Sequence, residues 1–292
     1  MILVAGSANL DFVVRASHIP APGETVLGHE FKTFPGGKGA NQAIACSRSG
    51  GAATTMILAL GNDAFAVPLE ESLNAAGVRL HIKRVAGQPT GTAFICVSDD
   101  AENAITVAPG ANNSLRPDDL IPLTGFSHLL LQLETPMDTV TAFARAAHQQ
   151  GVKVVLNAAP AQSLSQQLLA VVDVLMVNEG ELAVVSDHTG SVEQCLERIQ
   201  VPCVVVTLGS RGACAQVDGA FLKQAAFPVT PVDTTGAGDT FCGAFVAALS
   251  HGQDVAQALR QASAAGALAC TKPGAQSSIP AHADVQTFLK SF

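Results

Sequence analysis

Two aspartates flank a short glycine-containing turn that leads directly into an apolar helical pattern, and this stretch limits most strongly what the chain can be. The turn reads Asp233-Thr234-Thr235-Gly236-Ala237-Gly238-Asp239, and apolar residues then recur every four positions from Phe241 to Leu249. That spacing predicts a helix beginning near Gly238 or Asp239. The first N–H groups of a helix attract anions, and glycines let a phosphate approach the backbone. Asp239 would then be a base beside a bound anion; an aspartate that only caps the helix is the alternative.

The composition indicates a compact globular protein that does not bind nucleic acid. Hydrophobic residues make up 48% of the 292 residues, charged residues make up 14%, and the net charge is -8. Without a basic face we expect no nucleic-acid partner. The seven cysteines form no C-x-x-C pair, which indicates reduced thiols in the cytoplasm. The sequence shows no signal peptide and no apolar run of membrane-spanning length, so we expect a soluble cytoplasmic protein without a membrane partner.

Short apolar runs that alternate with helical patterns predict an α/β fold. Runs typical of buried parallel strands occupy residues 2–6, 54–60, 128–133, 153–157, 174–178 and 203–208. This alternation predicts a largely parallel central sheet flanked by helices. Ligands of such sheets bind beyond the carboxyl ends of the strands, so we expect polar residues at those ends to converge on one edge. Those residues are Asn9 with Asp11, Glu134, Asn178 and Thr207.

Two segments depart from this alternation and predict a small inserted β subdomain. In the first, residues 12–34, Pro20-Ala21-Pro22-Gly23 indicates a turn and Thr25–Gly28 a short extended piece. In the second, residues 91–107, two apolar stretches flank a polar loop over 99–103, which predicts a hairpin. We therefore expect a single domain over residues 1–292 that carries a small β subdomain.

A glycine-rich stretch, Gly36-Gly37-Lys38-Gly39-Ala40-Asn41-Gln42, leads into a second helical pattern with apolar residues at Ala40, Ile44 and Ala45. It is not a Walker A loop, because the G-x-x-x-x-G-K-[ST] spacing is absent. It predicts a helix entry where a ligand approaches the backbone beside a cation and an amide; a solvated turn is the alternative.

Two further stretches are candidates for nucleotide and metal contacts. In Asn178-Glu179-Gly180-Glu181 a carboxylate could hold Mg²⁺ through water, whereas an acidic pair that favours the helix start is the alternative. Thr207-Leu208-Gly209-Ser210-Arg211-Gly212 could cradle a nucleotide or form a hairpin turn. The eight histidines show no ligand spacing, so we expect no zinc site.

In this order, these stretches resemble the ribokinase-like (PfkB) family of carbohydrate kinases over essentially the whole chain. The most specific parts are residues 36–41 and 233–239, and Asn9-Leu10-Asp11, residues 178–181 and Gly274-Ala275-Gln276 support them. The resemblance implies an α/β body of about nine strands with a small β lid, corresponding here to residues 12–34 and 91–107. It also implies ATP as phosphoryl donor, Mg²⁺, an activating K⁺, a sugar substrate and a homodimer formed through the lid.

The resemblance further implies a role for each matching position. Asp239 would take the proton from the sugar hydroxyl, and the amides of Gly236, Ala237 and Gly238 would hold the transferring phosphoryl group. The sugar would contact Asn9, Asp11, Gly37, Lys38, Asn41, Glu134 and Asp239. The nucleotide would contact Asn178, Thr207, Gly209, Arg211, Gly212, Gly238 and Ser263. Metal contacts would come from Glu181 for Mg²⁺ through water, and for K⁺ from Asp233, Thr235, Ala269, Lys272, Gly274 and Ser278.

At Ser263 the family often places a larger side chain beside adenine, which leaves that contact open. The intact Gly-Gly-Lys-Gly-Ala-Asn favours ribose as the substrate, with deoxyribose, another pentose, fructose or a nucleoside as alternatives. A sugar-binding regulator without catalysis is disfavoured by the retained Asp239. A dinucleotide oxidoreductase is disfavoured because no strand is followed by G-x-G-x-x-G.

Overall fold

A nine-stranded, largely parallel sheet forms the body of the protein in a computed structural model that describes residues 1–100 and 102–292. Within these residues the strand order is β13-β12-β11-β10-β9-β8-β1-β4-β5, and only β12 and β13 run antiparallel to their neighbours. A second sheet has four strands in the order β3-β2-β6-β7. The strands are β1 (Ile2–Ala5), β2 (Asn9–Ala16), β3 (Glu30–Gly36), β4 (Thr54–Gly61), β5 (Arg79–Val85), β6 (Gly91–Ser98), β7 (Asn103–Ala108), β8 (His128–Leu131), β9 (Lys153–Asn157), β10 (Val174–Asn178), β11 (Cys203–Thr207), β12 (Ala213–Val217) and β13 (Ala220–Gln224).

Helices cover both faces of the large sheet. They are α1 (Lys38–Arg48), α2 (Ala66–Ala75), α3 (Met137–Gln149), α4 (Gln166–Leu169), α5 (Glu179–Ser186), α6 (Val192–Leu196), α7 (Ala237–Ser250), α8 (Val255–Ala269) and α9 (His282–Leu289). Strand side chains alternate between two buried clusters, as in Ile2 and Val4 on one face and Leu3 and Ala5 on the other. The expected α/β fold with a largely parallel sheet flanked by helices is therefore confirmed.

The body strands expected from apolar runs form, and they differ from the predicted bounds by only a few residues. Three further strands, β5, β12 and β13, were not predicted. β5 and β13 are partly exposed and contain several polar residues, so the continuous apolar signal of a buried strand is missing there, whereas β12 is a mostly buried strand of only five residues that includes Gln216. In the part of the chain that the structure describes, no helix is long and apolar enough to cross a membrane.

The small sheet is built from the two segments that broke the strand–helix alternation. β2 pairs with β3 antiparallel and with β6 in parallel, and β6 pairs with β7. The extended piece expected at Thr25–Gly28 is wrong, because the second strand of this segment instead occupies Glu30–Gly36. The hairpin between β6 and β7 forms, although its loop includes residue 101, which lies outside the described residues.

Candidate active site

Helix α7 begins within the turn between Asp233 and Asp239. The backbone N–H groups of Gly236 and Gly238 have no hydrogen-bond partner among the described residues, whereas that of Ala237 donates to the carbonyl oxygen of Thr234 at 3.2 Å. Gly236 occupies the N-cap with φ 73°, a left-handed conformation that favours glycine. Among residues 1–100 and 102–292, no side chain caps this terminus. A Cβ added to Gly238 would meet no described atom within 4 Å, so the space above this amide is open. Together, the free N–H groups and the open space form a cradle for an anion.

Two consecutive amide side chains of α1 hold the carboxylate of Asp239. The Nδ2 of Asn41 donates to Oδ2 at 2.9 Å, and the Nε2 of Gln42 donates to Oδ1 at 2.9 Å. These bonds join residues almost 200 positions apart and fix α1 against α7. Asp239 thus lies in the first turn of α7, next to the free amides, with a fixed carboxylate.

The start of α1 is held by groups at the ends of two body strands. The carboxylate oxygen Oε2 of Glu134 accepts from the backbone N–H of Lys38 at 3.1 Å and from the hydroxyl of Ser7 at 2.5 Å. The hydroxyl of Ser7 in turn accepts from the backbone N–H of Gly39 at 3.3 Å. Gly37 has φ 89°, and a Cβ there would come within 2.7 Å of the backbone at Ala8. Glu134 therefore fixes the glycine-rich turn at the start of α1 through these hydrogen bonds.

Asn9 and Asp11 lie on β2 where the small sheet leaves the body. The side-chain oxygen of Asn9 accepts from Nδ2 of Asn112 at 2.8 Å. Burial, together with the nearby carboxylates of Glu134 and Asp239, raises the pKa of Asp11 to about 7. The same carboxylates favour the charged form of Lys38: that of Asp239, more than those of Glu134 and Glu181, raises the pKa of the lysine. The site is thus a cluster of carboxylates with one lysine among them.

A cavity of about 160 Å³ lies between the carboxyl ends of the strands and the start of α7. Its lining brings together seven of the predicted residues: Lys38, Asn178, Glu181, Thr207, Gly236, Gly238 and Asp239. It also includes Asn157, Ala159, Met176, Val177 and Cys242, which were not predicted. Burial raises the pKa of the Cys242 thiol well above its ordinary value, so this cysteine is a packing residue.

Asn178 and Glu181 form a reciprocal cap at the start of α5. Oδ1 of Asn178 accepts from the N–H of Glu181 at 2.8 Å, and Oε2 of Glu181 accepts from the N–H of Asn178 at 2.8 Å. This is the capping alternative considered for the acidic pair. The cap uses one oxygen of Glu181, whose carboxylate also lines the cavity, and burial raises its pKa.

The stretch after β11 takes the hairpin form that was the alternative to a nucleotide cradle. A short 3₁₀ turn, Gly209–Arg211, joins β11 to antiparallel β12. Arg211 forms an exposed ion pair with Glu179 at 2.5 Å. Arg211 lines a different cavity from Asp239, and Gly212 has φ 96° in the tight approach to Gln224. Ser263 is buried on α8, and its hydroxyl has no hydrogen-bond partner among the described residues.

The loop over residues 270–278 returns to the turn before α7. Oδ2 of Asp233 accepts from the backbone N–H of Gly274 at 2.8 Å, and Oδ1 accepts from the N–H of Thr235 at 2.9 Å. Ala269 and Ser278 are fully buried, whereas Lys272 is exposed. The six positions expected to hold K⁺ therefore lie on two segments that Asp233 ties together.

Several polar residues next to the site were given no role by the sequence analysis, although two of them, Gln42 and Gln276, lie within its motifs. They are Ser7, Gln42, Asn112, Gln132, Asn157 and Gln276, all buried and all hydrogen-bonded to predicted residues or to one another. No sequence motif identifies a side-chain amide that supports a site from a buried position. The one indication in the sequence is a polar residue within an otherwise apolar helix or at the end of an apolar strand.

Comparison with known proteins agrees with this geometry. A family model described as pfkB family carbohydrate kinase matches residues 1–282. The ribokinase of Haemophilus influenzae is 37% identical over 301 residues, covering 99% of this chain and 98% of the relative. A ribokinase structure from Thermotoga maritima has a TM-score of 0.90 and 37% identity, with 99% of each chain covered. The Arabidopsis thaliana ribokinase complexed with ribose and ATP has a TM-score of 0.92 and 34% identity, covering 99% of this chain and 98% of that one. The chain therefore belongs to the pfkB family of carbohydrate kinases.

Proposed function

We propose that this carbohydrate kinase is a ribokinase, which transfers the γ-phosphoryl group of ATP to the 5-hydroxyl of D-ribose. The observation that carries the proposal is the position of Asp239, held by Asn41 of the intact Gly-Gly-Lys-Gly-Ala-Asn stretch at the uncapped start of α7. Phosphoryl transfer depends on positioning and charge stabilisation, and this arrangement supplies a base and an anion cradle side by side. The relatives named for ribose and ribokinase support the choice of sugar.

In this proposal Asp239 takes the proton of the sugar hydroxyl while the hydroxyl oxygen bonds to the γ-phosphorus of ATP and ADP leaves. The amides of Gly236, Ala237 and Gly238 stabilise the negative charge on the transferring group. The sugar is bound by Asn9, Asp11, Gly37, Lys38, Asn41 and Glu134. Lys38 is suited to this position because its ammonium lies among three carboxylates and stays protonated.

The nucleotide would lie along the cavity edge formed by Asn178, Thr207 and Gly238. Gly209, Arg211, Gly212 and Ser263 would bound its outer part. A Cβ on Gly209 would meet no described atom within 4 Å, which leaves room for a ligand beside that turn. Mg²⁺ neutralises phosphate charge in kinases and is usually held through one or two carboxylates and water, which fits the single carboxylate of Glu181.

We propose that K⁺ binds between the turn before α7 and the loop over residues 270–278, which the carboxylate of Asp233 connects. Carbonyl oxygens of Thr235, Ala269, Lys272 and Gly274, with Ser278, would surround the ion beside the Asp233 carboxylate. The hydrogen bonds of Asp233 to Thr235 and Gly274 already bring these segments together, and the loop leads directly into the anion cradle. An ion here would therefore set the geometry of the turn before α7.

The small sheet is proposed as a lid over the sugar and as the surface of a homodimer. Its strands leave large apolar side chains exposed: Phe31 at 60% and Phe94 at 53% lie on one face around Phe12, and Ile105 at 56% lies on the other face. Neighbouring exposed apolar residues mark interaction sites in soluble proteins. All seven cysteines are free thiols, which supports a location in the reducing cytoplasm.

The deciding experiment measures ATP-dependent phosphorylation of ribose, 2-deoxyribose, fructose and adenosine, each with potassium or with sodium. We expect the highest turnover with ribose and stimulation by potassium. Preference for 2-deoxyribose or another acceptor would keep the kinase mechanism and overturn the sugar assignment. Binding of ribose without turnover of any acceptor would overturn the catalytic proposal in favour of a sugar-binding regulator.

A further inference from the structure

The carboxylate of Asp239 is the end point of two chains of buried side-chain amides. One chain passes through Asn41 to Oδ2, and the other passes through Gln42 to Oδ1. Consecutive residues of an α-helix point about 100° apart, so the two amides approach the carboxylate from different directions and each binds a different oxygen.

The first chain continues from Asn41 to the loop over residues 270–278. Nε2 of Gln276 donates to Oδ1 of Asn41 at 3.1 Å, and the hydroxyl of Ser72 donates to Oε1 of Gln276 at 2.6 Å. Nε2 of Gln276 also lies 3.5 Å from the carbonyl oxygen of Gly36. A carbonyl oxygen only accepts, so it orients the Gln276 amide with its nitrogen inward. This orientation leaves Asn41 only its nitrogen to present to Asp239.

The second chain is oriented in the same way. Nδ2 of Asn157 donates to the carbonyl oxygen of Met176 at 3.1 Å, so Oδ1 of Asn157 faces Gln42. Nε2 of Gln42 donates to that oxygen at 2.9 Å as well as to Asp239. Oε1 of Gln42 accepts from Nε2 of Gln132 at 2.7 Å. Each chain therefore joins a backbone carbonyl to the carboxylate, and that carbonyl fixes the orientation of the amides between them; beyond Gln42, Oε1 of Gln132 has no partner among the described residues.

We infer that Gln42 and Gln276, which have no part in the proposed binding of sugar or nucleotide, are positioning residues that hold the Asp239 carboxylate in one orientation. The inference rests on the proposed role of Asp239 as base. Gln42 is fully buried and Gln276 is 6% exposed, so water cannot replace either amide without rearrangement of the chain. Gln276 also connects the base to the loop that contains Gly274 and Ser278, which links the geometry of that loop to the orientation of Asp239.

The test replaces each glutamine by methionine, which keeps length and removes the amide. Gln42→Met and Gln276→Met are expected to lower kcat by about 10–100-fold, because small displacements of a reacting group are costly, while the KM for ATP changes little. The control is Gln261→Met on α8, another buried glutamine, whose Nε2 has no partner among the described residues and whose Oε1 accepts from Gln253, with no hydrogen bond to Asp239. If the glutamines act through Asp239, the control variant should keep kcat within about twofold of the parent. A kcat for both glutamine variants no lower than that of the control, at equal thermal midpoint, would overturn the inference.

A second measurement separates positioning from loss of folding. If Gln42 and Gln276 act through Asp239, either substitution made in an Asp239→Asn background should leave the residual kcat unchanged within about twofold. Additive losses in the double variants would show that the glutamines act elsewhere and would overturn the inference. If Gln42→Met does not fold, the inference is tested with Gln276→Met and with Gln276→Met combined with Asp239→Asn, because Gln276 lies farther from Asp239, beyond Asn41. An inactive parent enzyme would instead refute the proposed function.

Discussion

The side-chain nitrogen of Asn41 lies 2.9 Å from Oδ2 of Asp239, so the glycine-rich turn before α1 and the turn before α7 meet at a single carboxylate. The two stretches are separated by almost 200 residues in sequence. Their meeting places the proposed sugar site and the proposed anion cradle on either side of the same oxygen atoms. A proton acceptor at this point can serve the sugar hydroxyl while the cradle holds the phosphoryl group.

Asp239→Asn should therefore abolish most turnover while sugar still binds. The substitution keeps the shape of the side chain but removes the base, and a positioned base contributes about 10²–10⁴-fold. We expect kcat to fall at least about 10²-fold. Steady-state kinetics measure the fall, and calorimetric titration with ribose measures binding. Turnover near that of the parent would contradict the assignment of Asp239 as base.

Asp11 predicts a pH dependence of sugar affinity near neutrality. Its pKa of about 7 means that it is largely protonated at pH 6 and largely ionised at pH 8. An ionised carboxylate accepts hydrogen bonds from sugar hydroxyls at both oxygens, so sugar should bind more tightly as pH rises. If only the ionised form binds, KM for ribose should fall about tenfold from pH 6 to pH 8 and level off above. Asp11→Asn should remove this dependence; a KM of the parent that is flat over the same range would contradict the role.

The glycine-rich stretches could be recognised from the sequence because their chemistry is local. Gly236 and Gly37 have the positive φ that the turns before helices α7 and α1 require, and both helices begin within a residue or two of the expected position. The meeting of Asn178 and Thr207 in one cavity also followed from a general property of parallel sheets, whose strand ends meet at one edge.

The supporting amides could not be predicted, because their partners are distant in sequence. Gln276 contacts Asn41 across 235 positions, and Gln42 contacts Asn157 across 115. No periodicity or spacing records which glutamine faces which carboxylate. The misplaced extended piece at Thr25–Gly28 has a related cause: the strand at Glu30–Gly36 is fixed by pairing with β2, whereas its own sequence contains a proline and charged residues.

Gly238→Ala should separate catalysis from stability. Gly238 is the second residue of α7, and a Cβ there meets no described atom within 4 Å. Alanine in a helix is more stable than glycine by up to about 1 kcal/mol, so the thermal midpoint should stay or rise. The same methyl group would stand in the proposed anion cradle, and kcat should fall at least about tenfold. A fully active Gly238→Ala enzyme would contradict the cradle; thermal unfolding and kinetics on one preparation provide both measurements.

The lid should become ordered when both substrates are present. A closed lid excludes water from a reactive phosphoryl group, which kinases require for transfer rather than hydrolysis. Backbone amides of β2, β3, β6 and β7 should therefore exchange hydrogen more slowly with ribose and a non-hydrolysable ATP analogue than without ligands. Amides of the central strand β1 provide the internal control, since they are buried in both states. Equal exchange in the lid strands with and without ligands would contradict closure.

Phe31→Ser should weaken the proposed homodimer. Phe31 is 60% exposed on β3 and stacks on Phe12 with ring centroids 6.2 Å apart, so its outer face is available to a second subunit. Burying a phenylalanine contributes about 1.5–3 kcal/mol, and a symmetric dimer buries two copies, so the dimer Kd should rise about 100-fold. Phe221→Ser on β13 is the matched control, because Phe221 is 38% exposed at the far edge of the large sheet. Sedimentation velocity over a concentration series measures the dimer Kd of both variants. A parent protein that stays monomeric would contradict the homodimer. Equal effects of the two substitutions would contradict its location on the small sheet.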